Sequence, residues 1–160
     1  MLHLCSSSVA DTHAIAAVVA GLARGGDLVV LAGEMGSGKT AFAQGFGAAL
    51  GVTEPITSPT FTLVHSYQAG RITLHHADIY RLSTLHEVAD LGLAELMEYD
   101  GIVLLEWGDV VAPSLGEHLL VRLEPDVDDE SARRILVHGA GRSWATRWDR
   151  LETALSGYSC

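Results

Sequence analysis

Apolar residues at Ile15, Val18, Val19 and Leu22 recur at the three- and four-residue spacing of a single helix face, which predicts a helix over residues 11–24 with Asp11 as its cap. Gly25 and Gly26 end that pattern. Leu28, Val29, Val30, Leu31 and Ala32 then form an unbroken apolar run, as expected of a strand covered on both faces. A second helix, rich in Ala, Phe and Gln, is predicted over residues 40–50, and the prolines at 55 and 59 make the next stretch a loop. Residues 61–67 and 71–77 read as a β-hairpin turning at Gly70, its second strand ending at Asp78. Thr84 and Glu87 have the spacing of a capping box for a helix running towards Tyr99, with a break at Gly92.

Residues 101–106, Gly-Ile-Val-Leu-Leu-Glu, form another buried strand, expected beside the first and ending on a carboxylate. Two more strands are predicted at 118–124 and 134–138, separated by a solvated acidic turn at 126–130. Ser143 is placed as the cap of a last helix whose Trp144, Trp148, Leu151 and Leu155 pack inward. The pattern predicts an α/β fold: a P-loop NTPase-like three-layer sandwich with a mostly parallel central sheet, an antiparallel hairpin and C-terminal strands. A chain of 160 residues fits a single domain, 1–160.

Composition changes the picture in three places. A formal charge of −10 argues against a chain that holds nucleic acid by itself, because phosphate contacts need a basic surface. No apolar run is long enough to span a bilayer, and the first residues lack a basic segment followed by an apolar core, so a cytoplasmic location is expected. Cys5 and Cys160 are too few and too far apart for a disulfide framework or a metal site, and both are read as free thiols.

The chemistry begins at Gly33–Thr40, Gly-Glu-Met-Gly-Ser-Gly-Lys-Thr, which matches the phosphate-binding loop pattern between a buried strand and a helix. Gly36 and Gly38 allow backbone angles that turn the amides of Gly36, Ser37, Gly38 and Lys39 towards one anion. Lys39 reaches the terminal phosphates, and Thr40 offers a hydroxyl to Mg²⁺. Ala41 contributes only its amide. Lys39 is the sole lysine, every other basic residue being Arg, consistent with a compact ammonium being required there.

Glu106 ends a strand at the edge where open α/β sheets bind ligands, and it is the candidate second anchor of the metal or its water shell. Asp78, closing the strand before Ile79 and Tyr80, reads as a second active-site acid, as an anchor for a γ-phosphate-sensing segment, or as a turn cap. The adjacent His75 and His76 point to opposite strand faces, which argues against a shared metal. Ser58, Thr60 and Thr62 lie on a hydroxyl-rich loop that reads either as a phosphate-ordered segment or as an ordinary capped turn.

Taken in order, Gly33–Thr40, then Ser58-Pro59-Thr60-Phe61-Thr62-Leu63-Val64, then His76-Ala77-Asp78-Ile79-Tyr80-Arg81-Leu82, then Leu105-Glu106-Trp107, resemble the TsaE family, bacterial ATPases required for threonylcarbamoyladenosine modification of tRNA. The resemblance runs from Asp11-Thr12 to about Arg134, and the middle two motifs are the more diagnostic. It implies that Thr12 lies near the nucleotide base, that Gly36 to Thr40 hold the phosphates of ATP or ADP, that Thr40 and Glu106 hold Mg²⁺, and that Asp78 is needed for activity. Arg134 matches a nucleotide-side arginine loosely. Trp107 matches an aromatic whose role is partner contact, site closure or packing. The chain departs from the family at Ala41, where a second hydroxyl is common, and at Gly108, where Pro is common. The resemblance also implies protein partners, TsaD and TsaB, with tRNA reached only through them.

Other classes fit less well. Guanine is usually read by an Asn-Lys-x-Asp loop, and the chain has no Asn and one Lys. A small-molecule kinase would use Asp78 as base and Arg81 as phosphate clamp but needs a lid that the sequence does not display. A nucleotide-dependent docking switch with negligible hydrolysis is the non-enzymatic alternative.

Overall fold

The structure, a computed structural model, describes residues 1–58, 64–79, 92–106 and 115–160. In chain order these form β1 (Leu2–Ser6), α1 (Val9–Leu22), β2 (Leu28–Ala32), α2 (Lys39–Leu50), β3 (Val64–Ala69), β4 (Ile72–Asp78), α3 (Leu93–Leu96), β5 (Gly101–Glu106), β6 (His118–Pro125), β7 (Arg133–Ala140), a 3₁₀ turn (Ala145–Arg147) and α4 (Trp148–Ala154). The strands make one seven-stranded sheet in the order β1-β7-β6-β2-β5-β4-β3. β6, β2, β5 and β4 pair in parallel, while β3 pairs antiparallel with β4 on one flank and β7 pairs antiparallel with both β6 and β1 on the other, so that β1 again runs in the direction of the central strands. Parallel pairing is thus confined to the four central strands, where β2 and β5 lie side by side as their apolar runs predict.

The unbroken apolar runs exist because both sheet faces are buried. Val29, Leu31, Ile102 and Leu104 face one side, in a core with Ile15 and Val19 of α1 and Phe42 and Phe46 of α2. Leu28, Val30, Val103 and Leu105 face the other, in a smaller cluster with Ala77 and Ile79, against which Leu93 and Leu96 pack. The two helices meet backbone to backbone: a Cβ on Gly45 would stand 2.6 Å from the Cα of His13, so only glycine fits that crossing. This contact fixes how α2, and the loop it grows from, sits on the sheet.

Several expectations are corrected. α1 is capped by Ser8, whose side chain accepts from the Asp11 amide at 3.1 Å; Asp11 instead accepts from the backbone and hydroxyl of Ser7, and that bonding draws its carboxyl below the usual range. The cap is therefore three residues earlier than predicted. β1 was not predicted; it is short, and its pairing partner β7 lies far along the chain. Cys5 and Cys160 are not free thiols but a disulfide, closed by the Leu4–Ser159 bridge and the Cys160 amide bonding to the His3 carbonyl. Ser143 does not cap a helix: its carbonyl accepts from Arg147, and the segment starts as a 3₁₀ turn before α4. Trp144, Leu151 and Leu155 pack in the core as expected. The helix predicted towards Tyr99 stops at Leu96, and Tyr99 and Asp100 take positive φ angles leading into β5. Thr84 and Glu87 lie outside the described residues. Among the described residues no helix is long and apolar enough to cross a membrane.

Candidate functional site

β2 delivers the chain into the glycine loop, and α2 starts at Lys39 immediately after it. Gly36 and Gly38 have φ of 82° and 106°, the left-handed conformations expected of the loop. Gly38 is also the N-cap of α2 and brings no side chain, so the first-turn amides, at the positive end of the helix dipole, carry no side-chain cap. Lys39 is buried, its Nζ donating to the Gly33 carbonyl and at 3.4 Å to that of Glu34, so its ammonium is folded over the loop it serves. Ser37 Oγ is buried without a hydrogen-bond partner.

The neighbouring strand ends supply acids. Register pairs Leu31 with Glu106 and Glu106 with Asp78, so both carboxylates stand at the carboxyl edge of the parallel strands, one strand apart. In parallel ladders paired residues face the same side, which here is the α1 and α2 side, since Leu104 and Leu31 point into that core. Glu106 is 1% exposed. Thr40 Oγ1 lies 2.7 Å from Ser58 Oγ, and Ser58 Oγ donates to Glu106 Oε2 at 3.3 Å, which links helix α2, the loop after it and strand β5 through oxygens alone. The other carboxylate oxygen, Oε1, has no hydrogen-bond partner and faces His76 Nε2 at 3.5 Å.

The remaining candidates are distributed as follows. Thr12 is buried in α1, its hydroxyl 2.7 Å from Ser6 Oγ. Ala41 lies half-buried in the first turn of α2. His75 sits on the strand face opposite His76, with Nδ1 2.7 Å from Ser66 Oγ; burial lowers its pKa below the ordinary 6.5. Arg134 is corrected: its side chain is 68% exposed and is directed to Asp126 at 3.6 Å. Its neighbour Arg133 reaches the loop instead, Nε donating to Ser37 O at 2.9 Å and Nη2 to Gly36 O at 3.4 Å. Strand parity could have found it, because Arg133 shares a face with Ile135 and Val137, both in the helix-side core, and Arg134 does not. Thr60, Thr62, Tyr80, Arg81, Trp107 and Gly108 lie outside the described residues.

A buried strand, a loop with left-handed glycines and an uncapped helix N-terminus, set on a parallel sheet core with acids at the adjoining strand ends, define the P-loop class of α/β proteins. The comparisons with known proteins are narrower. The family described as threonylcarbamoyl adenosine biosynthesis protein TsaE matches residues 6–135. The tRNA threonylcarbamoyladenosine biosynthesis protein TsaE of Treponema pallidum is 44% identical over 113 residues, 71% of this chain and 83% of that protein. The protein of the same name from Streptomyces coelicolor is 41% identical over 134 residues, 80% of this chain and 90% of its own. Among solved structures, Bacillus subtilis YdiB superposes with a TM-score of 0.76 at 31% identity, covering 95% of this chain and 94% of its own. The chain belongs to the TsaE family of threonylcarbamoyladenosine biosynthesis proteins.

Proposed function

We propose that the chain is a Mg²⁺-dependent ATP-binding and ATP-hydrolysing subunit of the tRNA threonylcarbamoyladenosine machinery, a single cytoplasmic domain over 1–160 that resets a TsaD–TsaB complex for further turnovers. The observation that carries the reading is the run Thr40–Ser58–Glu106, an oxygen-only set beside the Lys39 loop. Such a donor set suits Mg²⁺, which prefers hard oxygen ligands and keeps several waters. The unpartnered Glu106 Oε1 and Ser37 Oγ fit a site completed by a ligand.

On this reading the loop amides and the N-terminus of α2 receive the phosphates, and Lys39 exchanges the Gly33 and Glu34 carbonyls for phosphate oxygens. Thr40 and Glu106 hold the metal, with Ser58 tying the two before it binds. Held there by Thr40 and Glu106, Mg²⁺ would supply positive charge to offset the negative charge developing in phosphoryl transfer. Asp78, paired in register with Glu106, orients the attacking water or anchors the segment that does so. Arg133 braces the loop by holding the carbonyls of Ser37 and Gly36, which leaves the loop amides directed inward. Arg133 is engaged with backbone and so is not placed to stabilise charge developing on a phosphate; on this reading the isolated chain is a slow ATPase that a partner accelerates. Its formal charge of −10 agrees with reaching tRNA only through partners.

The test is reconstitution with TsaD, TsaB and tRNA. Modification beyond one turnover is expected to require this chain together with ATP. Unchanged multiple turnover without it, or phosphorylation of a small acceptor by the chain alone, would overturn the assignment.

A further inference from the structure

His76 is fully buried, and neither ring nitrogen has a hydrogen-bond partner. An imidazole in that position is unfavourable as mere filling. Register puts it between Leu104 on β5 and His65 on β3, and Leu74 of its own face is in the apolar core; neither ring nitrogen is bonded by these neighbours, so burial of the imidazole is not compensated there. At its other end it faces Glu106: Nε2 stands 3.5 Å from Oε1, the carboxylate oxygen that lacks a partner, while Oε2 is the oxygen bonded to Ser58. The carboxylate is therefore addressed from two sides, by His76 on the strand side and by Ser58, itself bonded to Thr40, on the loop side. Closing 3.5 Å to hydrogen-bond length takes a shift of a few tenths of an ångström.

We propose that His76 is a positioning residue for Glu106: its Nε2–H holds Oε1 and thereby presents Oε2 to Ser58 and the divalent cation. The inference rests on the reading of Glu106 as a metal ligand made above. Carboxylates that ligate metals are themselves held by outer hydrogen bonds, and removing such a partner typically weakens metal binding about 10- to 100-fold. His76 makes no hydrogen bond to the glycine loop, so its expected effect is on the cation rather than on the nucleotide.

The experiment measures binding of Mn²⁺, as a Mg²⁺ stand-in, to the ADP-loaded full chain by titration calorimetry, and separately the affinity for ADP without metal. His76→Leu is expected to weaken the metal about 10-fold while leaving metal-free ADP affinity and thermal stability in place. His76→Gln, whose amide can donate to Oε1, is expected to recover most of the loss. In a Glu106→Ala background, His76→Leu should add nothing further. The proposal is overturned if His76→Leu binds metal within twofold of the wild type, or if the Leu and Gln variants lose metal equally and in step with a lowered melting temperature, which marks a packing role. If Glu106→Ala itself leaves metal affinity unchanged, the reading of Glu106 as a ligand fails first. If Glu106→Ala abolishes metal binding and His76→Leu does not alter it, only the inference about His76 fails.

Discussion

Two buried acids stand at opposite ends of the same pair of strands and are treated in opposite ways. Asp27, just before β2, gives both oxygens to Arg147 at 2.6 and 3.0 Å and one of them also to the Arg24 amide at 2.7 Å. Arg147 in turn donates to the carbonyls of Leu22 and Ser143 and lies over the Trp144 ring, 4.0 Å from its centroid. Glu106, at the far end of neighbouring β5, has a single long hydrogen bond at 3.3 Å and an oxygen with none. Asp27 is closed off by its own chain, whereas Glu106 is left with valence to spare, the condition that a ligand-binding role proposed for it requires, since an unpaired buried oxygen otherwise carries its full desolvation cost. The difference also follows sheet geometry, because Glu106 lies at the carboxyl edge of the parallel strands with the glycine loop, and Asp27 at the amino edge.

The comparison breaks most visibly at the closed end. Asp27→Ala leaves Arg147 buried and uncompensated, and is expected to cost about 3–5 kcal/mol in urea unfolding, whereas Glu106→Ala should change stability far less. Equal losses from the two would erase the distinction. Next in size, Lys39→Ala removes the charge-assisted donor expected to meet phosphate and should weaken ATP binding by about 1.5–3 kcal/mol, measured by calorimetry; unchanged affinity would place the nucleotide elsewhere.

Smaller again, Arg133→Ala deletes the hydrogen bonds to Ser37 O and Gly36 O. It is expected to lower ATP affinity by about 1 kcal/mol, and Arg134→Ala, serving Asp126, should leave that affinity alone. The smallest effect is at His75, which has the partner that His76 lacks. Burial holds its pKa below 6.5, so above that value both folded and unfolded forms are neutral and nothing is lost. As pH falls, the unfolded chain takes up the proton first, and stability drops until the folded value is passed. Between pH 7.5 and 5 the wild type should therefore lose more melting temperature than His75→Gln, as scanning calorimetry would register.

How much of this was legible in the sequence depends on whether the signal is local. The run 28–32 and the glycines after it specify strand, loop and helix within a dozen positions, and the run 101–106 names its own carboxylate, so the framework of the site reads directly. Ser58 was legible as part of a hydroxyl-rich loop, but its bond to Glu106 joins residues 48 positions apart. β1 and the Cys5–Cys160 bond, 155 positions apart, exist only through pairing of the chain's two ends, to which periodicity is blind. Asp11 is a plausible cap by type, yet Ser8 holds that position, accepting from the Asp11 amide while the Asp11 carboxylate reaches back to Ser7 from inside the first turn. The choice between Arg133 and Arg134 needed strand register, where a shift of one residue exchanges the faces.

The central claim, that the open carboxylate of Glu106 serves nucleotide hydrolysis, is tested most directly by single-turnover ATP hydrolysis in the reconstituted complex with Glu106→Ala in place of the wild type. The account predicts that hydrolysis is abolished while ATP binding remains measurable and the variant stays folded. Hydrolysis at the wild-type rate would contradict it and remove Glu106 from the chemistry.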